Sequence, residues 1–195
     1  MLKKNLFIFF LFIFSALLFA DHFDLNRASA TSIPSGAASM AKSFNLSAQQ
    51  KAVELRALFS DAGSNRACWD FPIKQDLSQL AAIRIRYRCF NIPTVSQFNI
   101  YILAGRTWYS CQFAPEKNGQ WEELILPKSL FLPEGKSDSW KNCSKIRIAA
   151  WRGAAGTFLM QFASLEFFAP NVNIAMLRSA GKTDQQKEAY QYAAH

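Results

Sequence analysis

Histidine is almost missing from this chain: the two present, His22 and His195, stand near the start and at the last position. A Ser-His-Asp or Cys-His mechanism needs an imidazole held against its nucleophile, and neither position supplies a well-placed base. Cysteine is also sparse. Cys68, Cys89, Cys111 and Cys143 are widely spaced without a C-x-x-C pair, which argues against a zinc site. A phosphate loop is lacking too, because "SAGKT" at Ser179 to Thr183 would need a glycine where Met176 stands. Paired carboxylates for glycoside cleavage are equally hard to assemble. Glu122 and Glu123 are neighbours that must face opposite sides of a strand, and Asp70 and Asp76 flank a predicted turn. No catalytic residue is assigned, and the chain is not read as an enzyme.

What is present begins with "MLKKNLFIFFLFIFSALLFA", two lysines ahead of an unbroken apolar run that ends in small residues. That is the layout of a secretory signal. Residues 1–20 are expected as a signal peptide cut after Ala20, giving a secreted, periplasmic or cell-surface protein. An uncleaved anchor is the alternative, and only then is a membrane a partner. Losing Lys3 and Lys4 lowers the formal charge from +8 to +6. Such mild basicity fits an anionic polysaccharide or membrane surface and falls short of a nucleic-acid binder. Export also permits disulfides, with three pairings of the four cysteines open and buried free thiols as the other reading.

Residues 21–46 include "NRASATSIPSGAASMAKS", small and polar with no sustained period, and predict a flexible lead-in. In "LSAQQKAVELRALFSDAG", Ser47 and Gln50 imitate a helix-capping box while Val53, Leu55, Ala57 and Phe59 alternate as in a strand. Beyond Arg66 the alternation is plain. "IRIRYRC" sets Ile83, Ile85, Tyr87 and Cys89 against Arg84, Arg86 and Arg88, and "FNIYILAG", "TWYSCQF", "WEELILP", "SKIRIAAW" and "TFLMQFASLEFF" follow between turn residues. Many short strands without crossover helices predict an all-β, antiparallel sandwich. After Pro170, "NVNIAMLR" reads as a strand and Thr183 or Asp184 as a helix start, so residues 171–195 open a second, α/β domain or form a tail.

Flat rings stack on sugars while arginine forks grip carboxylate or sulfate. Tyr101, Trp108, Tyr109, Trp121, Trp140 and Trp151 supply the rings, although core packing is the commoner use of each; Trp121 looks the most structural. Trp151 falls on the strand face of Lys145 and Arg147. Arg84, Arg86 and Arg88 form a ladder that either keeps a sheet face soluble or reads an acidic sugar, with Arg147 helping if its strand is adjacent.

Taken in order, "NRACWD", "DLS" from Asp76, "IRIRYRC", "AGRTWYSCQF", Trp121, "EG" at Glu134 with Trp140, and "IRIAAWRG" resemble a galactose-binding-like β-sandwich. More narrowly, the chain is similar to carbohydrate-binding-module-type domains at the N-terminus of large secreted bacterial proteins, with a looser similarity to the complex I intermediate-associated protein family. The resemblance spans Lys51 to Ala169. It departs from the pattern at Ser137 and Ser139, where proline and glycine are expected, and at Ala149, where serine is.

It implies a jelly-roll-like sandwich over residues 47–170, with Lys51 to Ser60 as strand rather than helix. It also implies that Trp140 closes a loop against the sandwich and that Gly153 permits the turn into the last strand. The implied function is a non-catalytic module accessory to a downstream domain of the same protein. Its partner would be a polysaccharide or glycan and not nucleic acid, held by Trp108, Tyr109, Trp151, Arg152, Arg84 and Arg86. The alternative is a structural domain that packs on its neighbour without binding sugar. No cofactor is expected; calcium on Asp70 or Asp76 with backbone carbonyls is a weaker alternative.

Overall fold

The computed structural model describes residues 25–33, 36–60 and 63–169. Two antiparallel sheets face each other. Their strands, in chain order, are β1 (Ser29–Thr31), β2 (Ala38–Asn45), β3 (Lys51–Phe59), β4 (Arg66–Gln75), β5 (Ala82–Phe90), β6 (Val95–Ala104), β7 (Thr107–Phe113), β8 (Glu122–Pro127), β9 (Leu132–Pro133), β10 (Cys143–Arg152) and β11 (Gly156–Phe168). One sheet runs β1-β4-β10-β6-β7-β9 and the other β2-β3-β11-β5-β8. The expected sandwich is therefore present. The predicted signal helix and the strand and helix after Pro170 lie outside the described residues.

Period-two patterning explains the two layers. Ile83, Ile85, Tyr87 and Cys89 point inward from β5, and Phe98, Ile100 and Ile102 from β6. Trp69 and Phe71 of one sheet meet Phe158 and Phe162 of the other, with ring centroids 6.5 and 6.3 Å apart. In β11 the inward positions Phe158, Met160 and Phe162 change phase to Leu165 and Phe167. A bulge between Phe162 and Ser164 makes that change, inserting one residue so that both halves of a long strand keep their apolar side inward.

Lys51–Phe59 is a strand, as the resemblance implied, and the cap-like pair before it serves a turn. Ser47 Oγ accepts the amide protons of Gln49 and Gln50, and Leu46 donates to the Gln50 carbonyl, joining β2 to β3. Tertiary pairing overrides helix propensity here.

The flexible lead-in expected over residues 21–46 is corrected: this segment contains β1 and β2. β2 pairs with β3 from Ala38↔Leu58 to Asn45↔Lys51, and the Trp69 indole donates to the Met40 carbonyl at 3.0 Å. β2 is an edge strand with no buried position of its own. Its order comes from backbone hydrogen bonds to a neighbour, a contribution that composition does not display.

Two glycines act as expected for different reasons. Gly105, with φ of 57°, opens the two-residue turn between β6 and β7. Gly153 is needed by close approach: a Cβ there would stand 3.0 Å from backbone atoms of Val95 and Ser96, beside the bond from Gly153 N to Thr94 O.

Candidate functional site: the outer face of the six-stranded sheet

The same alternation that sends Phe98, Ile100 and Ile102 inward turns Gln97, Asn99 and Tyr101 outward, and the register lines them up with outward residues of adjacent strands. Arg147 lies between Asp70 and Tyr101, Ala149 between Cys68 and Asn99, and Trp151 between Arg66 and Gln97. Trp108 of β7 lies opposite Leu103 and meets Tyr101 edge-on, with centroids 6.1 Å apart and planes at 85°. Three half-buried aromatic rings thus share one sheet face with polar and cationic side chains.

Asp70 organises its centre. Arg147 donates from Nε to one carboxylate oxygen at 2.6 Å and from Nη2 to the other at 3.0 Å, while Lys145 Nζ donates at 2.9 Å. Burial by itself would raise the Asp70 carboxyl, but these hydrogen bonds outweigh it and hold the group below its usual range. Arg147 is raised in turn, first by its hydrogen bonds to Asp70. Locked in this way, its guanidinium stacks over Trp108 with Cζ 4.7 Å from the ring centroid.

The other half of the face is held from beneath. Asn99 Oδ1 accepts from Trp151 Nε1 at 3.1 Å and from Gln97 Nε2 at 2.8 Å. Arg66 lies over the Trp151 ring with Cζ at 4.9 Å. Burial, with help from Glu134, raises the Tyr101 phenol. Beside Trp151 and Arg152 an open depression of about 490 Å³ is lined by Asn65, Ser96, Gln97 and Gly153 among others.

The six residues expected to hold a ligand are not brought together. Trp108, Trp151 and Arg152 belong to the six-stranded sheet. Arg84 and Arg86 stand on the outer face of the five-stranded sheet, so Arg147 does not assist them as the sequence allowed. Tyr109 is a correction of another kind. It alternates with Trp108, is only 5% exposed, packs on Trp140 at 4.7 Å, and bonds through its hydroxyl to the backbone of Asp138. Its ring is core and loop anchor, leaving no open face for a sugar. Trp140, also buried, closes its loop against the sandwich as the resemblance implied; Leu77 N donates to its carbonyl.

The arginine ladder has internal work. Arg84 pairs with Glu166 and lies over Phe168, Arg88 donates to Gln161 Oε1 at 2.7 Å, and Arg86 and Arg88 both lie over Trp121. Gln161 passes the network to Glu54, which pairs with Arg56. Glu122 and Glu123 face opposite ways as expected, Glu122 accepting the Glu116 and Lys117 amide protons. The carboxylates named for calcium are already engaged, Asp70 by two cations and Asp76 by the Ser78 amide. Among the described residues, no group of three His, Cys, Asp or Glu side chains is placed to hold a metal ion. All four cysteines are free and buried.

Gln97, Asn99 and Arg66 were not singled out from the sequence, and Asp70 and Lys145 were named there without this role. Their signal was there in the opposite parity of "QFNIY" and "KIRIAAW", legible once the strand order is known.

The fold is shared with solved structures. A family 11 carbohydrate-binding module from Clostridium thermocellum, solved with a β-1,3-1,4-mixed-linked tetrasaccharide, superposes with a TM-score of 0.57 at 12% identity, covering 76% of this chain and 93% of the module. This chain has the β-sandwich fold of the carbohydrate-binding modules. A further structure, of carbohydrate-binding modules from the β-sandwich superfamily, matches with a TM-score of 0.52 at 11% identity, over 76% of this chain and 61% of that one. A β-1,2-glucanase from Parabacteroides distasonis contains a similar sandwich, with a TM-score of 0.53 at 12% identity over 80% of this chain and 24% of the enzyme. No protein-family profile matches the sequence, and no curated protein matches it.

Proposed function

We propose that this module binds a polysaccharide on the outer face of its six-stranded sheet. The observation that carries the reading is the sharing of one face by Tyr101, Trp108 and Trp151 with Arg147, Asn99 and Gln97 between them. Pyranose rings stack on such half-exposed aromatic surfaces, and their hydroxyls take hydrogen bonds from neighbouring polar groups. Trp69 and Trp140 are buried in the core, whereas these three rings keep part of their surface outside it. Ring stacking and hydrogen bonding break no covalent bond, so the module acts by retention.

Retention matters most when something else is held in place. We read the N-terminal leader as an export signal and the module as an accessory to an adjoining domain, whose effective concentration on the polymer it raises. The β-1,2-glucanase, in which a sandwich of this fold makes up a minor part of the chain, supports that arrangement. The test is affinity electrophoresis and pull-down of the full chain against a panel of soluble and insoluble polysaccharides. Retention that disappears in a Trp108→Ala, Trp151→Ala double variant of unchanged melting temperature is expected. No retention by any glycan at low salt would leave the alternative, a domain that packs on its neighbour.

A further inference from the structure

The two sheets differ in how their outward charges are balanced. The strands of the five-stranded sheet carry Lys42, Lys51, Arg56, Arg84, Arg86 and Arg88 against four acids, Glu54, Glu122, Glu123 and Glu166, with Arg56 paired to Glu54 and Arg84 to Glu166. On the six-stranded sheet, β4 and β10 carry Arg66, Lys74, Lys145, Arg147 and Arg152 against a single acid, Asp70, and β6 and β7 carry no charge at all. That acid is already shared by two cations. Glu134, just past β9, adds a carboxylate only at the far rim, where its amide donates to the Trp108 carbonyl.

Arg66 is the most telling member. It stacks on Trp151, forms no salt bridge among the described residues, and has an enclosed Nε with no hydrogen-bond partner there. A guanidinium lying on Trp151, the ring that borders the open depression, is placed to meet an anion brought by a ligand.

We infer that the ligand is an acidic polysaccharide, whose carboxylate or sulfate groups meet Arg66 at the Trp151 end of the face and the excess charge of Lys145 and Arg147 at its centre. This rests on the glycan-binding reading above and names the class of glycan. The sugar ring lies on Trp151 or Trp108, and the cations select chains that carry negative charge.

The test uses the full chain with two matched pairs, polygalacturonate against its methyl ester and sulfated agarose against plain agarose, together with mixed-linked β-glucan. The pairs separate carboxylate from sulfate as the source of charge. The charged member of at least one pair should bind about tenfold more tightly than its neutral partner. Raising salt from about 50 mM to about 0.5 M should remove most of that difference. Arg66→Gln should lower the ratio of acidic to neutral binding about fivefold. Lys145→Gln keeps the Arg147–Asp70 pair and should act in the same direction, so it decides the matter if Arg66→Gln lowers the melting temperature. Equal binding within both pairs, or a neutral glucan held as tightly and without salt dependence, would overturn the inference and leave glycan binding standing. Binding to none of the five would overturn both.

Discussion

Arg147 holds Asp70 through two hydrogen bonds while its guanidinium lies 4.7 Å over the ring of Trp108. One side chain thus couples the buried charge of β4 to an aromatic ring three strands away on β7. Binding surface and sheet stability are joined at that point, and substitutions there should separate the two.

Asp70→Asn removes the charge that Arg147 and Lys145 share. Breaking a fully buried pair costs roughly 3–5 kcal/mol. Here about 2–3 kcal/mol is expected, because both cations keep some exposure to water. Chemical denaturation measures it.

The same carboxylate sets an acid dependence. Its folded-state pKa lies below the ordinary 3.8, because the bonds from Arg147 and Lys145 outweigh burial. The stability it contributes is complete above the unfolded value and is lost as pH falls through the folded one. Wild-type stability should therefore decline from near pH 3.8 downward more steeply than that of Asp70→Asn. Parallel pH profiles would show that other carboxylates dominate.

Trp108 and Tyr109 are neighbours with opposite orientations, and paired substitutions exploit this. Trp108→Ala should weaken glycan binding at least tenfold, about 1.4 kcal/mol or more, with a small change in melting temperature. Tyr109→Phe should leave binding unchanged and cost about 1 kcal/mol of stability, by removing the hydroxyl bonds to the Asp138 backbone. Titration calorimetry and denaturation together read both effects.

The four thiols should be silent in the native state. Burial pushes Cys111 up to about 12 and Cys143 up to about 11, and raises Cys68 and Cys89 as well. A colorimetric thiol reagent near neutral pH should find almost no reactive group until guanidinium is added, and then all four. Fewer than four on unfolding without reductant would show that a disulfide forms.

The alternation of Ile83, Ile85, Tyr87 and Cys89, and of Phe98, Ile100 and Ile102, determined by itself that these segments are strands with one dry side. It also determined the class of fold, because short period-two runs between turn residues have few other ways to bury their apolar side. Parity also sends Trp108 and Tyr109 to opposite sides, although the resemblance implied that both hold the ligand. Only the tertiary structure decided which outward faces meet. Trp108 and Trp151 came to share a surface, while Arg84 and Arg86 went to the opposite side, because strand order is set by long-range pairing that no local period encodes. The edge strand Ala38–Asn45 was illegible for the same reason: its hydrogen-bond partners lie on β3 and its own side chains carry no burial signal. The charge excess around Arg66 likewise exists only in the fold, since it depends on which strands bring carboxylates to that sheet and which do not.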